Sequence, residues 1–322
     1  MFTMVDTAIG ALLLHQATTS LLFNNGAILG VSGLLRELVR TRSLAIASFF
    51  FGMALSYGAI KSIAPEVLPV YPNVKWDLGT TLFALTTSIM YCGGCTSGHM
   101  LCGIPRLSPR SFIATAIFFT TAATTFHILN PSLATSACPS KTPCYETIPS
   151  LVLKSRSLCL LLSLNALTIE TLPRLYIPTI QTSASSPIAR QAIYLLCGYT
   201  FGLGLLVSGM ASPAKVSAFF AFSLFPLDLT KWDPSLLMVI LCGMIPNMAR
   251  WRWRGCTFFK TPLQGCDWKF VLGAATFGAG WGASGICPGP AILRAMAQPI
   301  WGSLWLLGFW LVASIRQVLA YL

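Results

Sequence analysis

The sequence predicts an all-α integral membrane protein. We expect a polytopic helical bundle of two inverted, pseudo-symmetric repeats, whose broken or re-entrant helices meet near the middle of the membrane. Three observations support this prediction: an apolar composition, long runs without charged residues, and similar glycine-rich interruptions in the two halves.

Composition and run length decide the class. The chain has 322 residues, of which 55% are hydrophobic and 9% are charged, whereas soluble domains carry about 25% charged residues. A membrane-spanning helix needs about 20 apolar residues. Runs without Asp, Glu, Lys or Arg cover residues 7–35, 44–60, 78–105, 112–129, 191–214, 270–293 and 295–315. The first run has no basic segment before it and no clear cleavage site after it, so we do not expect a signal peptide.

Basic residues are distributed along the chain as in membrane proteins. The formal net charge of +12 would suggest nucleic acid as a partner of a soluble protein. Here Lys and Arg gather in alternate loops, as the positive-inside rule describes, so we expect contact with the lipid bilayer and no nucleic-acid partner. The loops predicted to be cytoplasmic are 36–42, 106–110, 171–190 and 250–269.

The loop alternation divides the chain into three parts. Residues 1–150 form a predicted N-terminal transmembrane repeat, and residues 189–322 form a C-terminal one. Residues 151–188 form a linker with one weak crossing, because only residues 157–169 are free of charge there. That crossing would invert the second repeat relative to the first, an arrangement common in transporters. We therefore expect a multi-pass protein of the plasma (cytoplasmic) membrane.

Similar interruptions occur in both halves. A Ser-Gly pair follows an apolar helix at 32–33 and again at 208–209. A glycine-rich segment with Ser-Gly and cysteine occurs at 93–103 (GGCTSGHMLCG) and again at 280–289 (GWGASGICPG). Irregular backbone at membrane depth is tolerated only where protein or a water-filled cavity surrounds it. We therefore expect these interruptions to meet around a central path.

The first glycine-rich segment has the features of a pore-lining loop. Its glycines weaken a helix and Pro105 ends it. The backbone N–H groups that such a break frees attract an anion, especially at a half-helix N-terminus. Alternatively, the glycines serve only close helix packing, but packing alone would not require two cysteines, a histidine and a proline in one short segment.

The second glycine-rich segment places Cys287 directly before Pro288, Gly289 and Pro290. Proline is well suited to the first turn of a new helix. We therefore expect Cys287 at a break where the chain reverses direction; a buried structural thiol is the alternative.

The cysteines of the first glycine-rich segment allow other interpretations. Cys92 and Cys95 form a C-x-x-C motif, which indicates redox chemistry in a soluble βαβ setting that this chain lacks. With His99 and Cys102 they resemble a metal cluster in composition, but their spacing fits none of the common zinc patterns. No metal is therefore predicted, and His99 fits a structural role as well as a pore role.

Cys138 and Cys144 lie in a polar loop rich in Pro and Ser. They could form a disulfide if that loop is extracellular, or remain free. The chain has no catalytic triad, phosphate loop or dinucleotide motif, so we expect no cofactor.

At these segments the sequence resembles the YeeE/YedE family of sulfur-transport membrane proteins, as a fused form of its two halves. The resemblance is carried by residues 24–35, 93–111, 201–216, 232–240 and 277–292. It implies an hourglass-shaped helical protein that takes up thiosulfate or a similar sulfur species. By position, Cys95 and Cys287 match the family's central cysteines. Family members that carry thiosulfate also have a cysteine in the first broken segment, where this chain has none and Ser32 is the nearest polar candidate, so the exact sulfur anion stays open.

The leading hypothesis is a transporter or channel-like permease for a small sulfur-containing anion, most simply thiosulfate, along a path lined by Gly, Ser and Cys. The rival hypothesis is a sulfur-delivery or thiol-redox enzyme that forms a cysteine persulfide; a purely structural subunit leaves the paired breaks unexplained. The predicted path residues are Cys95, Cys287, Cys102, His99, Ser97, Gly98, Ser284, Gly285, Ser32, Gly33, Ser208 and Gly209.

Overall fold

Helices dominate the structure, a computed structural model that describes residues 3–71, 94–129, 150–176, 187–224, 227–228, 232–253 and 266–321. The helices of the first half are α1 (Met4–Asn25), α2 (Val31–Thr41), α3 (Leu44–Ile63), a 3-10 turn (Pro65–Val67), the first π-helix (Ser97–Gly103), a 3-10 turn (Ile104–Arg106) and α4 (Pro109–Leu129). Next in the chain come α5 (Leu151–Lys154) and α6 (Arg156–Tyr176).

The second half repeats this helical character. Its elements are α7 (Pro187–Val207), α8 (Pro213–Phe220), the paired two-residue strands β1 (Ser223–Leu224) and β2 (Leu227–Asp228), a 3-10 turn (Pro234–Leu236), α9 (Leu237–Val239), the second π-helix (Ile240–Met244), α10 (Ile245–Trp253), α11 (Trp268–Ser284), α12 (Pro288–Ala297) and α13 (Pro299–Tyr321). The prediction of an all-α helical membrane protein is confirmed.

Three described helices, α3, α4 and α7, are each long and apolar enough to cross a membrane. The pair α11 and α12 satisfies the same criteria together, as one span bent by 40°. The predicted weak crossing at 157–169 lies within the continuous helix α6. Leu160, Leu164 and Leu167 are exposed there at helical spacing, as expected of a face that contacts lipid.

Glycine contacts bring the spanning helices close together. A Cβ atom at Gly282 of α11 would lie 2.1 Å from the carbonyl oxygen of Ala122 in α4, and one at Gly198 of α7 would lie 1.9 Å from that of Phe49 in α3. Each glycine belongs to a G-x-x-x-G pair, 278–282 and 198–202, the spacing that permits close helix approach in membranes. Gly282, in the second glycine-rich segment, is therefore a packing residue.

The packing pattern of the first half recurs in the second. α1 packs against α7, its counterpart. α3, which follows α2, packs against α7, and the second π-helix and α10, which follow α8, pack against α1. In the same way α2 packs against α13, and α8 packs against α4. The first π-helix contacts α4 as α12 contacts α13. These matched contacts relate α1–α2 to α7–α8 and the first π-helix to α12.

One predicted break lies elsewhere than expected. α1 ends at Gly26, which has a φ of 63°. Gly26 N donates to the carbonyl of Leu22 and Ala27 N donates to that of Leu21, as at other glycine-capped helix ends. The interruption therefore covers residues 26–30, and Ser32 and Gly33 fall in the first turn of α2. The reason is that a glycine with positive φ already ends the helix six residues before the Ser-Gly pair.

Candidate functional site

A cavity lies where the interrupted segments of the two halves meet. The cavity has a volume of about 40 Å³, which is room for a very small solute. Its lining combines a few polar groups with mainly apolar side chains, as small-molecule sites typically do. The lining residues are Val31, Cys95, Thr96, Ser97, Met100, Leu101, Phe201, Leu205, Met210, Val239, Met244, Cys287, Gly289 and Pro290.

In the first half, two hydrogen bonds connect the first turn of α2 to the segment that contains Cys95. The Ser32 hydroxyl donates to the carbonyl oxygen of Gly94 at 2.7 Å, and the Val31 N–H donates to Ser97 Oγ at 3.2 Å. Ser97 Oγ also lies 3.1 Å from the Cys95 sulfur. These contacts fix the Cys95 thiol beside the first turn of α2.

In the second half, Cys287 is the N-cap residue of α12. Gly285, with a φ of 64°, ends α11, and Pro288 occupies the first helical turn of α12 as predicted. The chain bends by 40° here rather than reversing direction. Thr96 and Cys287 line the same cavity. The two segments predicted to meet are therefore in contact.

The electrostatic character of the cavity comes from backbone rather than from charged side chains. Val31 is the first residue of α2 and Cys287 precedes the first residue of α12, so a helix N-terminus from each half borders the cavity. First-turn N–H groups have no acceptor within their own helix and carry partial positive charge. In α2 the Val31 N–H donates to Ser97 Oγ, and in α12 Gly289 supplies the N–H because Pro288 and Pro290 have none. None of the described lining residues is Asp, Glu, Lys or Arg. The arrangement suits a small anion that is bound without a fixed counter-charge.

Several predicted site residues support the cavity without lining it. Gly98 packs on Gly30, where a Cβ would lie 3.3 Å from the Gly98 Cα. Ser284 Oγ donates to the carbonyl of Gly280 at 2.7 Å and accepts from Ile286 N at 3.3 Å. Together with Gly285 it therefore shapes the turn before Cys287.

The Ser208–Gly209 pair forms the turn between α7 and α8. Ser208 Oγ accepts from Met210 N at 3.3 Å, and Gly209 has a φ of 74°. This turn presents Met210 to the cavity. Gly33, in contrast, has open space at its Cβ position.

Cys102 and His99 lie on the first π-helix next to lining residues, but neither of them lines the cavity. The Cys102 thiol donates to the carbonyl of Leu29 at 3.4 Å, and His99 Nδ1 lies 3.2 Å from Ser111 Oγ. Both contacts pack the π-helix against its neighbours. The proposed lining role of these two residues therefore has no support in the cavity geometry.

Three predicted residues, Cys92, Cys138 and Cys144, lie outside the described part of the chain. Among the residues that the structure describes, no group of three or more His, Cys, Asp or Glu side chains could hold a metal ion.

Sequence reasoning missed three methionines in the lining. Met100, Met210 and Met244 come from separate elements and place thioethers beside the two thiols. Thioethers are polarisable and adapt to irregular space. Their positions follow from helix packing, and no local motif marks them.

A buried polar network behind the cavity was also missed. Asn247, fully buried in α10, lies with Oδ1 2.7 Å from His15 Nδ1 in α1, and its Nδ2 donates to the carbonyl of Leu101 at 2.7 Å. Leu101 lines the cavity, so this amide connects α1, α10 and the first π-helix at the site.

Comparisons with known proteins give a family relationship. Residues 190–315 match a family of unknown function, DUF6691. Two proteins of Xylella fastidiosa (strain 9a5c), each described as "Probable transporter", are 36% identical to the chain. One alignment covers 116 residues, which is 32% of this chain and 73% of the relative; the other covers 114 residues, which is 34% and 83%. A protein of strain Temecula1 / ATCC 700964 with the same description is 36% identical over 116 residues, 32% of this chain and 72% of its own. No solved structure matches the chain. Since the alignments cover more than two thirds of these relatives, the chain belongs to the family of these probable transporters.

Proposed function

We propose that the chain is a multi-pass permease of the plasma membrane for a small sulfur-containing anion, with thiosulfate as the first candidate. The observation that carries this proposal is one cavity bordered by two thiols and by a helix N-terminus from each half. Cys95 and Cys287 act in it as the central contacts. Residues 1–150 and 189–322 act as inverted repeats, with α6 as the crossing between them.

The electrostatics of the cavity support an anion that must also be released. The N-termini of α2 and α12 attract negative charge through backbone dipoles, with partial rather than full positive charge. A guanidinium or ammonium group in the lining would bind the anion more tightly and slow its departure. A permease needs moderate affinity, and this lining provides it.

The chemistry of the lining supports a sulfur anion rather than sulfate. Cys95 and Cys287 offer weak S–H donors, and the surrounding methionine, leucine and phenylalanine side chains are apolar. A strongly hydrated oxyanion loses many water contacts on entering such a site, whereas a polarisable sulfur atom makes favourable contacts with thiols and thioethers. The resemblance to the YeeE/YedE family supports the same substrate class.

Uptake of radiolabelled thiosulfate into proteoliposomes tests the proposal. We expect uptake by the wild-type protein to be inhibited by unlabelled thiosulfate and much less by sulfate. Cys95→Ala and Cys287→Ala should each reduce uptake by at least about tenfold, because each removes a central contact. Cys197→Ala is the matched control, since this buried thiol of α7 lies outside the cavity lining.

Correctly folded Cys95→Ala and Cys287→Ala proteins with wild-type uptake would overturn the site assignment. The sulfur-delivery alternative has a separate signature. There a thiolate takes the outer sulfur of thiosulfate, the S–S bond breaks, and sulfite leaves, so that a persulfide remains on cysteine. A persulfide that forms and turns over at the rate of sulfite release would replace the permease proposal with that enzyme.

A further inference from the structure

His15 is a buried ionisable residue in the middle of α1, and the anion path described above does not use it. Its exposed fraction is 9%, and its Nδ1 lies 2.7 Å from Oδ1 of Asn247 in α10. Ionisable side chains inside a membrane bundle are costly and usually functional. The groups around His15 therefore indicate its role.

The hydrogen bonds of Asn247 fix the tautomer of His15. A carbonyl oxygen can only accept, so the contact of 2.7 Å with the Leu101 carbonyl requires the NH₂ group of Asn247. The amide oxygen of Asn247 then faces His15 and accepts from its Nδ1–H. In this tautomer the second ring nitrogen, Nε2, carries the lone pair. A proton therefore binds at Nε2 while the bond to Asn247 stays intact.

A second cavity, which we call the polar cavity, lies beside the C-terminal end of α1. It has a volume of about 60 Å³, which is room for a few water molecules. Its lining residues are Ser20, Phe23, Asn24, Ile169, Glu170, Pro173 and Arg250. Glu170 and Arg250 form an ion pair there, with N–O distances of 2.7 and 2.9 Å. The loops 171–190 and 250–269, which begin beside this cavity, are those predicted to be cytoplasmic.

The His15–Asn247 pair lies between the polar cavity and the central cavity that Cys95 and Cys287 border. On one side, Asn247 donates to the carbonyl of Leu101, which lines the central cavity. On the other side, Arg250 follows Asn247 by three residues, about one turn of α10, and lines the polar cavity. The pair therefore provides a polar connection between the two cavities.

The charged groups around His15 permit its protonation. Glu170 of α6 and Arg250 of α10 are the charged side chains that act on it; the carboxylate favours the protonated ring and the guanidinium disfavours it. The other elements packed against α1 are α7, α9, the two π-helices and the 3-10 turn Pro234–Leu236. Within the described part of the chain they add no charge that acts on His15. In contrast, the charged groups that act on His99 are all arginines, which disfavour its protonation.

An anion permease needs a source of free energy if it is to take up its substrate. A typical membrane potential, negative inside, lowers the equilibrium inside concentration of an anion by about 50-fold for each negative charge. A dianion such as thiosulfate would be excluded by about 2,000-fold. The described lining of the central cavity has no Lys or Arg to offset this charge. A proton carried with the anion would offset one charge.

We propose that His15 is the proton-binding residue of an anion–proton symport, in which a proton on Nε2 is carried together with the anion in the central cavity. This inference rests on the proposed function. The imidazolium ring attracts the anion, and the anion in turn favours the protonated ring, so each promotes binding of the other. Water in the polar cavity receives the proton, and the ring returns to its neutral tautomer. A purely structural histidine accounts for the bond to Asn247, but not for a polar cavity beside it.

Accumulation of radiolabelled thiosulfate in proteoliposomes tests the symport, with the membrane potential held at zero by potassium and valinomycin. For one proton per anion, an inward gradient of about two pH units should drive accumulation of up to about 100-fold, tenfold for each unit. Thiosulfate is a dianion at mildly acidic and mildly alkaline pH, so the gradient cannot act on the anion itself. Exchange of labelled for unlabelled thiosulfate at equal pH measures permeation without net proton movement.

His15→Gln separates coupling from structure, because glutamine still donates to Asn247 but does not titrate. We expect it to lose the gradient-driven accumulation and to keep exchange within about twofold of the wild type. His127→Gln is the matched control and should keep the accumulation, since the His127 ring lies against Phe126 and Phe222 and lines neither cavity. Glu170→Gln should move the pH dependence of uptake toward lower pH, because it removes the carboxylate that favours protonated His15.

Full accumulation by a folded His15→Gln protein, or an equal loss in His127→Gln, would overturn the assignment of His15. Loss of exchange together with accumulation in His15→Gln would give this residue a structural role instead, as would an unshifted pH dependence in Glu170→Gln. Exchange without accumulation in the wild type keeps the permease and rejects the proton coupling. A wild-type protein that neither exchanges nor binds thiosulfate rejects the permease, and the symport with it.

Discussion

Replacement of Asn247 by leucine should strongly destabilise the protein. Its Oδ1 lies 2.7 Å from His15 Nδ1, and its Nδ2 donates to the carbonyl of Leu101 at 2.7 Å and to Thr18 Oγ1 at 3.1 Å. Leucine has a similar size but offers none of these bonds. Thr18 keeps the carbonyl of Leu14 as an acceptor at 2.9 Å. His15 and the Leu101 carbonyl lose the partner described here.

The expected loss of stability follows from two buried groups that lose a hydrogen bond, the His15 ring and the Leu101 carbonyl. A buried polar group that loses its partner costs about 1–3 kcal/mol, although hydrogen bonds between membrane helices average only about 0.6 kcal/mol. We therefore expect Asn247→Leu to lower the free energy of unfolding by about 3 kcal/mol. Because Leu101 lines the cavity, we also expect an altered rate of thiol labelling at Cys95.

Asn165→Leu provides the matched comparison. Asn165 is also buried, but its Oδ1 accepts from Thr200 at 3.1 Å, and Thr200 donates to the Leu196 carbonyl at 2.8 Å as well. Its Nδ2 has no hydrogen-bond partner among the described residues, so leucine removes an unsatisfied group. We expect a loss below about 1 kcal/mol. Denaturation in mixed detergent micelles measures both values, and equal losses would refute the reasoning from the network.

Two further predictions concern packing and charge. Gly282→Ala should lower the free energy of unfolding by about 1–3 kcal/mol, because its Cβ would lie 2.1 Å from the Ala122 carbonyl oxygen. Gly58→Ala is the control: nothing lies within 4 Å of the added atom, so the same measurement should show a neutral or slightly stabilising effect. Similar losses of stability in the two variants would contradict the close-packing argument. Glu170→Gln should lower the free energy of unfolding by about 1 kcal/mol at low salt, because it removes the ion pair with Arg250 at 2.7 and 2.9 Å. This loss should become smaller in high salt, and a loss that does not depend on salt would contradict an electrostatic origin.

The sequence was sufficient to predict where the chain is interrupted near the cavity. Cys95 and Cys287 were recognised because glycine and proline around them are incompatible with an ordinary membrane helix. Those local signals act within a few residues, so the breaks could be read without knowing the fold. The Ser32–Gly33 break was misplaced because Gly26 adopts a positive φ earlier in the chain.

The remaining part of the site depends on contacts between distant segments. Met210 and Met244 lie in different helices, and nothing in their immediate sequence indicates that they share a cavity with Cys95. The same holds for Asn247, whose partners His15 and Leu101 are 232 and 146 residues away. Such positions become visible only when the helix packing is known.

The two helix N-termini at the cavity have a consequence for how this protein responds to mutation and to pH. Peptide N–H groups do not titrate in the physiological range, and every residue except proline supplies one. Attraction of an anion by α2 and α12 therefore stays constant from mildly acidic to mildly alkaline conditions. Side-chain scanning will also underestimate it, because an alanine at Ser32 leaves the peptide group in place. Only a change that moves a helix end, such as a proline that removes a donor or an insertion in residues 26–30, will reveal how much of the affinity the main chain supplies.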